Sequence, residues 1–127
     1  MSIDLSSRST LAAVAKWSGR ALALLLFLFW GMFFLEHLKE WFLHWGGPYP
    51  PTRVWIAQLF HLMLVAGFAL TFKWERLGSL AIVLGTAGFI LSAGFHPIPW
   101  FFLLNLAPVA CFAVREIVAK RQTAPEK

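Results

Sequence analysis

An all-α integral membrane protein is the fold class this sequence predicts: one domain over residues 1–127, an antiparallel four-helix transmembrane bundle with both termini cytoplasmic and helix 1 extended beyond the outer face. Three observations predict it. The 127 residues are 59% hydrophobic and 13% charged, against about 45–50% and roughly 25% in an average soluble domain, so lipid must cover much of the surface. Long apolar runs alternate with short polar turns along the whole chain. Lys and Arg bracket those runs instead of spreading over one face, so the net charge of +5 suits a chain oriented in an anionic-faced membrane. It predicts membrane lipids as partners and no nucleic acid.

Residues 1–10 form a polar tail in which Ser9 or Thr10 can cap the helix that follows. Helix 1 is expected over about residues 11–45. Its start mixes small apolar residues with Lys16, Trp17 and Arg20, the composition of an interfacial segment whose basic chains snorkel to headgroups. Ala21 to Leu35 carries no charge, yet falls short of the ~20 residues a span needs, so the helix borrows from both flanks. It continues into Glu36-His37-Leu38-Lys39 without a small-residue cleavage site, which predicts an uncleaved span rather than a signal peptide. Leu38, Trp41, Phe42 and Trp45 then repeat at helical spacing until Gly46-Gly47-Pro48 stops the helix.

Helix 2 is expected over about residues 53–72, uncharged after Arg53. Lys73-Trp74-Glu75-Arg76 makes a tight charged turn into helix 3, over about residues 77–95. There Gly78, Ala81, Gly85, Gly88 and Ser92 recur at spacings of 3 and 4, a seam of small residues that lets a neighbouring helix approach closely. His96-Pro97-Ile98-Pro99 turns the chain into helix 4, over about residues 99–117. Pro108 lies mid-span and takes away the hydrogen bond to the Leu104 carbonyl, which predicts a kink. Residues 118–127 close the chain as a loosely held polar tail.

Four spans put both termini on one side. Arg8, Lys16, Arg20, Lys73, Arg76, Arg115, Lys120, Arg121 and Lys127 fall on that side, and only Lys39 and Arg53 on the other. The positive-inside rule therefore places the termini and the Lys73–Arg76 turn in the cytoplasm. Trp30, Trp41, Trp45, Tyr49, Trp55 and Trp100 are expected towards the outer interface, with Trp17 and Trp74 at the inner one.

Chemistry-bearing residues are few. Counting inward from the outer helix ends brings His61, Asn105 and Gln58 to similar depth, with Ser92 nearby, as a buried polar cluster; polar groups at membrane depth face protein and find partners there. Imidazole is also a ligand for haem iron and the magnesium of chlorophyll-type pigments. His61 is thus the candidate cofactor ligand, with His96 as the second ligand. His37, Glu40 and His44 can share a face of the helix 1 extension and have the ligand types for zinc or copper. A solvated polar face opposite Trp41 and Trp45 explains the same three residues. Cys111, the only cysteine, permits no intrachain disulfide. No glycine-rich phosphate loop, serine nucleophile elbow or catalytic carboxylate pair is present, so no enzymatic activity is expected.

At Trp74-Glu75-Arg76-Leu77-Gly78, with His61 in the preceding apolar run and a proline in the fourth, the chain resembles small bacterial four-span membrane proteins of unknown function over about residues 20–115. Its four-span layout is also similar to that of DoxX-like proteins. The first resemblance implies the same fold and a bacterial protein of the inner (cytoplasmic) membrane. From small size, abundant aromatics and the small-residue seam, the expected function is a non-catalytic accessory or scaffold subunit of a larger respiratory or photosynthetic membrane complex. A haem- or chlorophyll-type carrier built on His61 is the second expectation, and a small transporter the third.

Overall fold

The computed structural model describes residues 5–43, 48–93 and 102–124. Among the described residues there is no strand, and the long helices are α1 (Leu5–Phe42), α2 (Thr52–Leu70), α3 (Glu75–Ala93) and α4 (Leu106–Thr123). Three of them, α1, α2 and α3, are long and apolar enough to cross a membrane. α4 is not, because Arg115, Glu116, Lys120 and Arg121 occupy its second half.

Helices α2 and α3 have 19 residues each, about 28 Å at 1.5 Å per residue and close to the ~30 Å of a hydrocarbon core. They form an antiparallel hairpin whose link is residues 71–74. Thr71 closes α2 by donating its hydroxyl to the Phe68 carbonyl at 2.7 Å, and the Trp74 N–H reaches back to the Leu70 carbonyl at 2.7 Å. Glu75 opens α3, where a carboxylate complements the helix dipole. Helix 3 therefore takes in Glu75 and Arg76, two of the three charged residues that the sequence assigned to the turn.

The two helices nearly touch. A Cβ on Gly78 would lie 2.5 Å from the Thr71 backbone nitrogen, and one on Gly85 2.7 Å from that of Leu64. Gly67 of α2 faces Ile82 and Ala81 of α3 in the same way, and Gly88 receives the Phe60 ring. The small residues of helix 3 thus face α2.

Helix α1 is 38 residues long, about 57 Å. It overshoots the hairpin at the end that carries the α2–α3 turn; at its other end Phe42 packs on Trp55, with ring centroids 4.4 Å apart, so the expected extension past the hairpin is not found there. Arg20 meets the Phe72 carbonyl at 3.3 Å, which marks the level of the α2–α3 turn. The fifteen residues of α1 before Arg20 run past that level beside α4: Gly19 abuts Phe112 and Cys111, and Leu11 and Val118 line one groove. α1 starts at Leu5 and α4 ends at Thr123, so much of both expected polar tails is helix. The result is a four-helix body with a two-helix stalk.

The expected kink at Pro108 takes the form of a helix boundary. Residues 102–103 are helical, 104–105 turn, and α4 begins at Leu106. Pro108 then sits in the first turn, where its missing N–H removes no bond. The Leu104 carbonyl accepts from the Ala107 N–H at 3.1 Å instead. The core consists of Ala23, Leu26 and Trp30 from α1, Leu64, Val65 and Phe68 from α2, and Ile82 from α3, with Phe102 and Val109 packed against it.

Candidate functional site

At mid-height the four helical segments are tied by polar side chains. Trp30 follows Arg20 by ten residues, His61 precedes Thr71 by ten, and Asn105 precedes Arg115 by ten, so equal lengths of helix lift all three to one level. Trp30 donates Nε1–H to the Asn105 Oδ1 at 2.6 Å, and the Asn105 amide lies 3.5 Å from the Thr86 hydroxyl. The His61 Nε2 lies 3.0 Å from the Trp30 carbonyl. A carbonyl only accepts, so Nε2 carries the proton and the neutral ring is fixed as one tautomer. His61 is 1% exposed, Asn105 0% and Trp30 6%. Between them these bonds join α1 to α2, to α3 through Thr86, and to the segment leading into α4. In hydrocarbon, where apolar contact gives no hydrophobic drive, such bonds and close packing hold helices together.

Aromatic rings enclose the site. His61 stands edge-on to Trp30, Phe34 and Phe89, with centroids at 5.6, 5.4 and 5.2 Å, while Phe102 stacks on Trp30 at 5.5 Å. The remaining ring nitrogen, Nδ1 of His61, is buried and has no hydrogen-bond partner among the described residues. Its lone pair is the kind that ligates a metal, and the carbonyl on Nε2 is the usual orienting contact for a ligating histidine. The geometry does not fit a haem or chlorophyll-type macrocycle, however. Nδ1 is fully buried, and Trp30, Phe34 and Phe89 close around the imidazole.

The other expected residues separate from this cluster. Gln58 donates to the Phe34 carbonyl at 3.4 Å, one turn above His61. Ser92 turns its hydroxyl back to the Gly88 carbonyl at 2.8 Å, and its own carbonyl accepts from Arg53 Nε. His37 holds the Phe33 carbonyl at 2.8 Å and brings its ring 5.9 Å from that of His61, whereas Glu40 is exposed. His44 and His96 lie outside the described residues. Among the described residues no three His, Cys, Asp or Glu side chains gather as a metal site.

Trp30 and Thr86 are the members that sequence reasoning missed. Trp30 was expected in the outer belt and is instead the hub of the core. Its ten-residue distance from Arg20, equal to that of Asn105 from Arg115, was the available signal.

A second polar layer closes the body at the end that carries the α2–α3 turn. Glu75 pairs with Arg115 and lies 4.0 Å from Arg20, so one carboxylate faces guanidiniums from α1 and α4. Arg76 pairs with Glu116, which Lys120 also reaches at 3.3 Å. Solvent-screened pairs of this kind contribute little stability, but they set the level at which α1, α3 and α4 meet.

Residues 7–119 match a family described as a domain of unknown function, DUF7670, and the chain belongs to that family. No match was found among curated proteins or among solved structures.

Proposed function

We propose that this protein is a non-catalytic accessory or scaffold subunit that packs against other subunits of a larger membrane complex. The observation that carries the reading is the stalk. Beyond the charged layer, Leu11, Val14 and Trp17 of α1 stand 50%, 56% and 63% exposed, although Gly19 and the Leu11–Val118 groove bring this stretch against α4. Val114 and Ile117 of α4 are exposed as well. Outside the bilayer such side chains lose about 25 cal/mol for every Å² of apolar surface left in water, so a stalk of this kind suits a surface that another chain covers. The interior supports the same reading: Trp30, His61, Thr86 and Asn105 bond to one another or to the backbone and tie the helices together.

The test is extraction of the full chain from its native membrane in mild detergent, with identification of the chains that leave with it. The expected result is a stoichiometric complex with another integral membrane protein. That complex is lost in Leu11→Ser/Val14→Ser/Trp17→Ser while helix content stays at the wild-type value. A chain that runs alone, or only with copies of itself, overturns the proposal.

A further inference from the structure

We propose that the inner end of the bundle holds a binding site for the phosphate of an anionic phospholipid headgroup. The site is a depression of about 650 Å³ where α1, the α2–α3 turn and α4 converge. Lys16, Arg20, Lys73, Arg76 and Arg115 line it, from three separate stretches of chain. The carboxylates beside these five cations are already engaged. Glu75 is held by Arg115 and Arg20, and Glu116 by Arg76 and Lys120. Lys16 and Lys73 meet no carboxylate among the described residues; each ammonium lies over an indole, 5.8 Å from Trp17 and 4.7 Å from Trp74. Two ammonium groups with hydrogen-bond capacity to spare therefore flank a concave surface of excess positive charge.

A phosphate supplies what the protein there does not: several anionic oxygens that accept from ammonium and guanidinium together. The position favours a lipid as its source. The depression opens at the level where α2 ends and α3 begins, the depth of headgroups in a body whose two short helices match a hydrocarbon core. Trp74 and Leu77, half exposed, line its wall and continue up α3 as an apolar track for an acyl chain. Basic pockets between helices on the cytoplasmic side are a recurrent means of holding anionic headgroups.

The full chain, stripped of lipid in neutral detergent, is titrated with phosphatidylglycerol, with phosphatidylcholine or with inorganic phosphate, and bound species are counted by native mass spectrometry. The expected outcome is one tightly retained phosphatidylglycerol per chain, its affinity lowered roughly ten-fold or more in Lys16→Gln/Lys73→Gln. Phosphatidylcholine binds weakly and alike to both proteins. Lys16→Arg/Lys73→Arg restores retention, which separates loss of charge from loss of fold. Saturable binding of inorganic phosphate alone, abolished by the glutamine pair, supports the phosphate site but assigns it to a free anion. Equal retention of the two lipids, or retention of phosphatidylglycerol unchanged by the glutamine pair, overturns it.

Discussion

Trp30 and Asn105 form the shortest side-chain bond of the buried network, and its value depends on what each would face without the other. Asn105→Leu leaves the indole N–H with no acceptor inside the bundle, and a buried donor stranded this way costs about 1–3 kcal/mol. Trp30→Phe strands the amide oxygen and removes ring contacts with Phe102 and Phe89. Coupling energies of polar pairs in membrane proteins are smaller, about 0.6 kcal/mol on average with a maximum near 1.7, because the loosened state finds partners too. Unfolding of the two single variants and the double variant in a denaturing-detergent titration should therefore give a positive coupling of roughly 0.5–1.7 kcal/mol. Additive losses would show the bond to be incidental. Part of this network was legible beforehand, since Asn105 and His61 are polar residues inside apolar runs and depth alone brings them together. Trp30 was not, because tryptophan satisfies an interface as well as a core, and only its partner decides between them. Thr86 was hidden for a similar reason: a threonine in a membrane helix can satisfy itself on its own backbone, as Ser92 does.

At the level of elements, the α2–α3 hairpin depends on glycines whose missing side chains are the contact. Gly78 and Gly85 face backbone atoms of α2, which cannot rotate aside as a side-chain tip can. Gly31, in the middle of α1, has nothing within 4 Å of its would-be Cβ. The same change to alanine should then have opposite signs. Gly31→Ala gains up to about 1 kcal/mol of helix propensity, whereas Gly78→Ala and Gly85→Ala lose about 1–3 kcal/mol by wedging the hairpin open. The midpoint of denaturing-detergent unfolding measures both, and equal shifts in one direction would refute the close packing. Which helix the small residues of helix 3 face was not readable from their spacing, since a seam names a face and not its partner. Helix limits were blurred by the same kind of ambiguity. Glu75 and Arg76 look like turn residues in a membrane sequence, but a glutamate suits the first turn of a helix, and Arg76 is balanced there by Glu116. Pro108 looks like an interruption, yet with a boundary at Leu106 it is a favourable start.

The molecule as a whole is asymmetric along its long axis, and charge accompanies shape. The stalk, the Glu75 layer and the basic depression all lie at one end, and the exposed Tyr49 loop at the other. Their separation was partly readable, because counting Lys and Arg per loop needs only the order of spans. That α1 and α4 continue past the α2–α3 turn as paired helix was not, because Leu11 to Gly19 has the composition of an interfacial segment and only the approach of Gly19 to Cys111 and Phe112 and the groove shared with Val118 distinguish the two. The positive-inside rule predicts that the end rich in Lys and Arg stays on the side of synthesis. Single cysteines in a Cys111→Ala background report on this. Tyr49, 94% exposed, replaced in Tyr49→Cys, should react with a membrane-impermeant maleimide on intact cells. Thr10→Cys, exposed on the stalk, should react only after the membrane is opened. The reverse pattern would turn the bundle over and place the basic depression on the outer leaflet. Labelling of both from the same side would mean that α1 does not cross, and the pairing of the stalk with an inner leaflet would go with it.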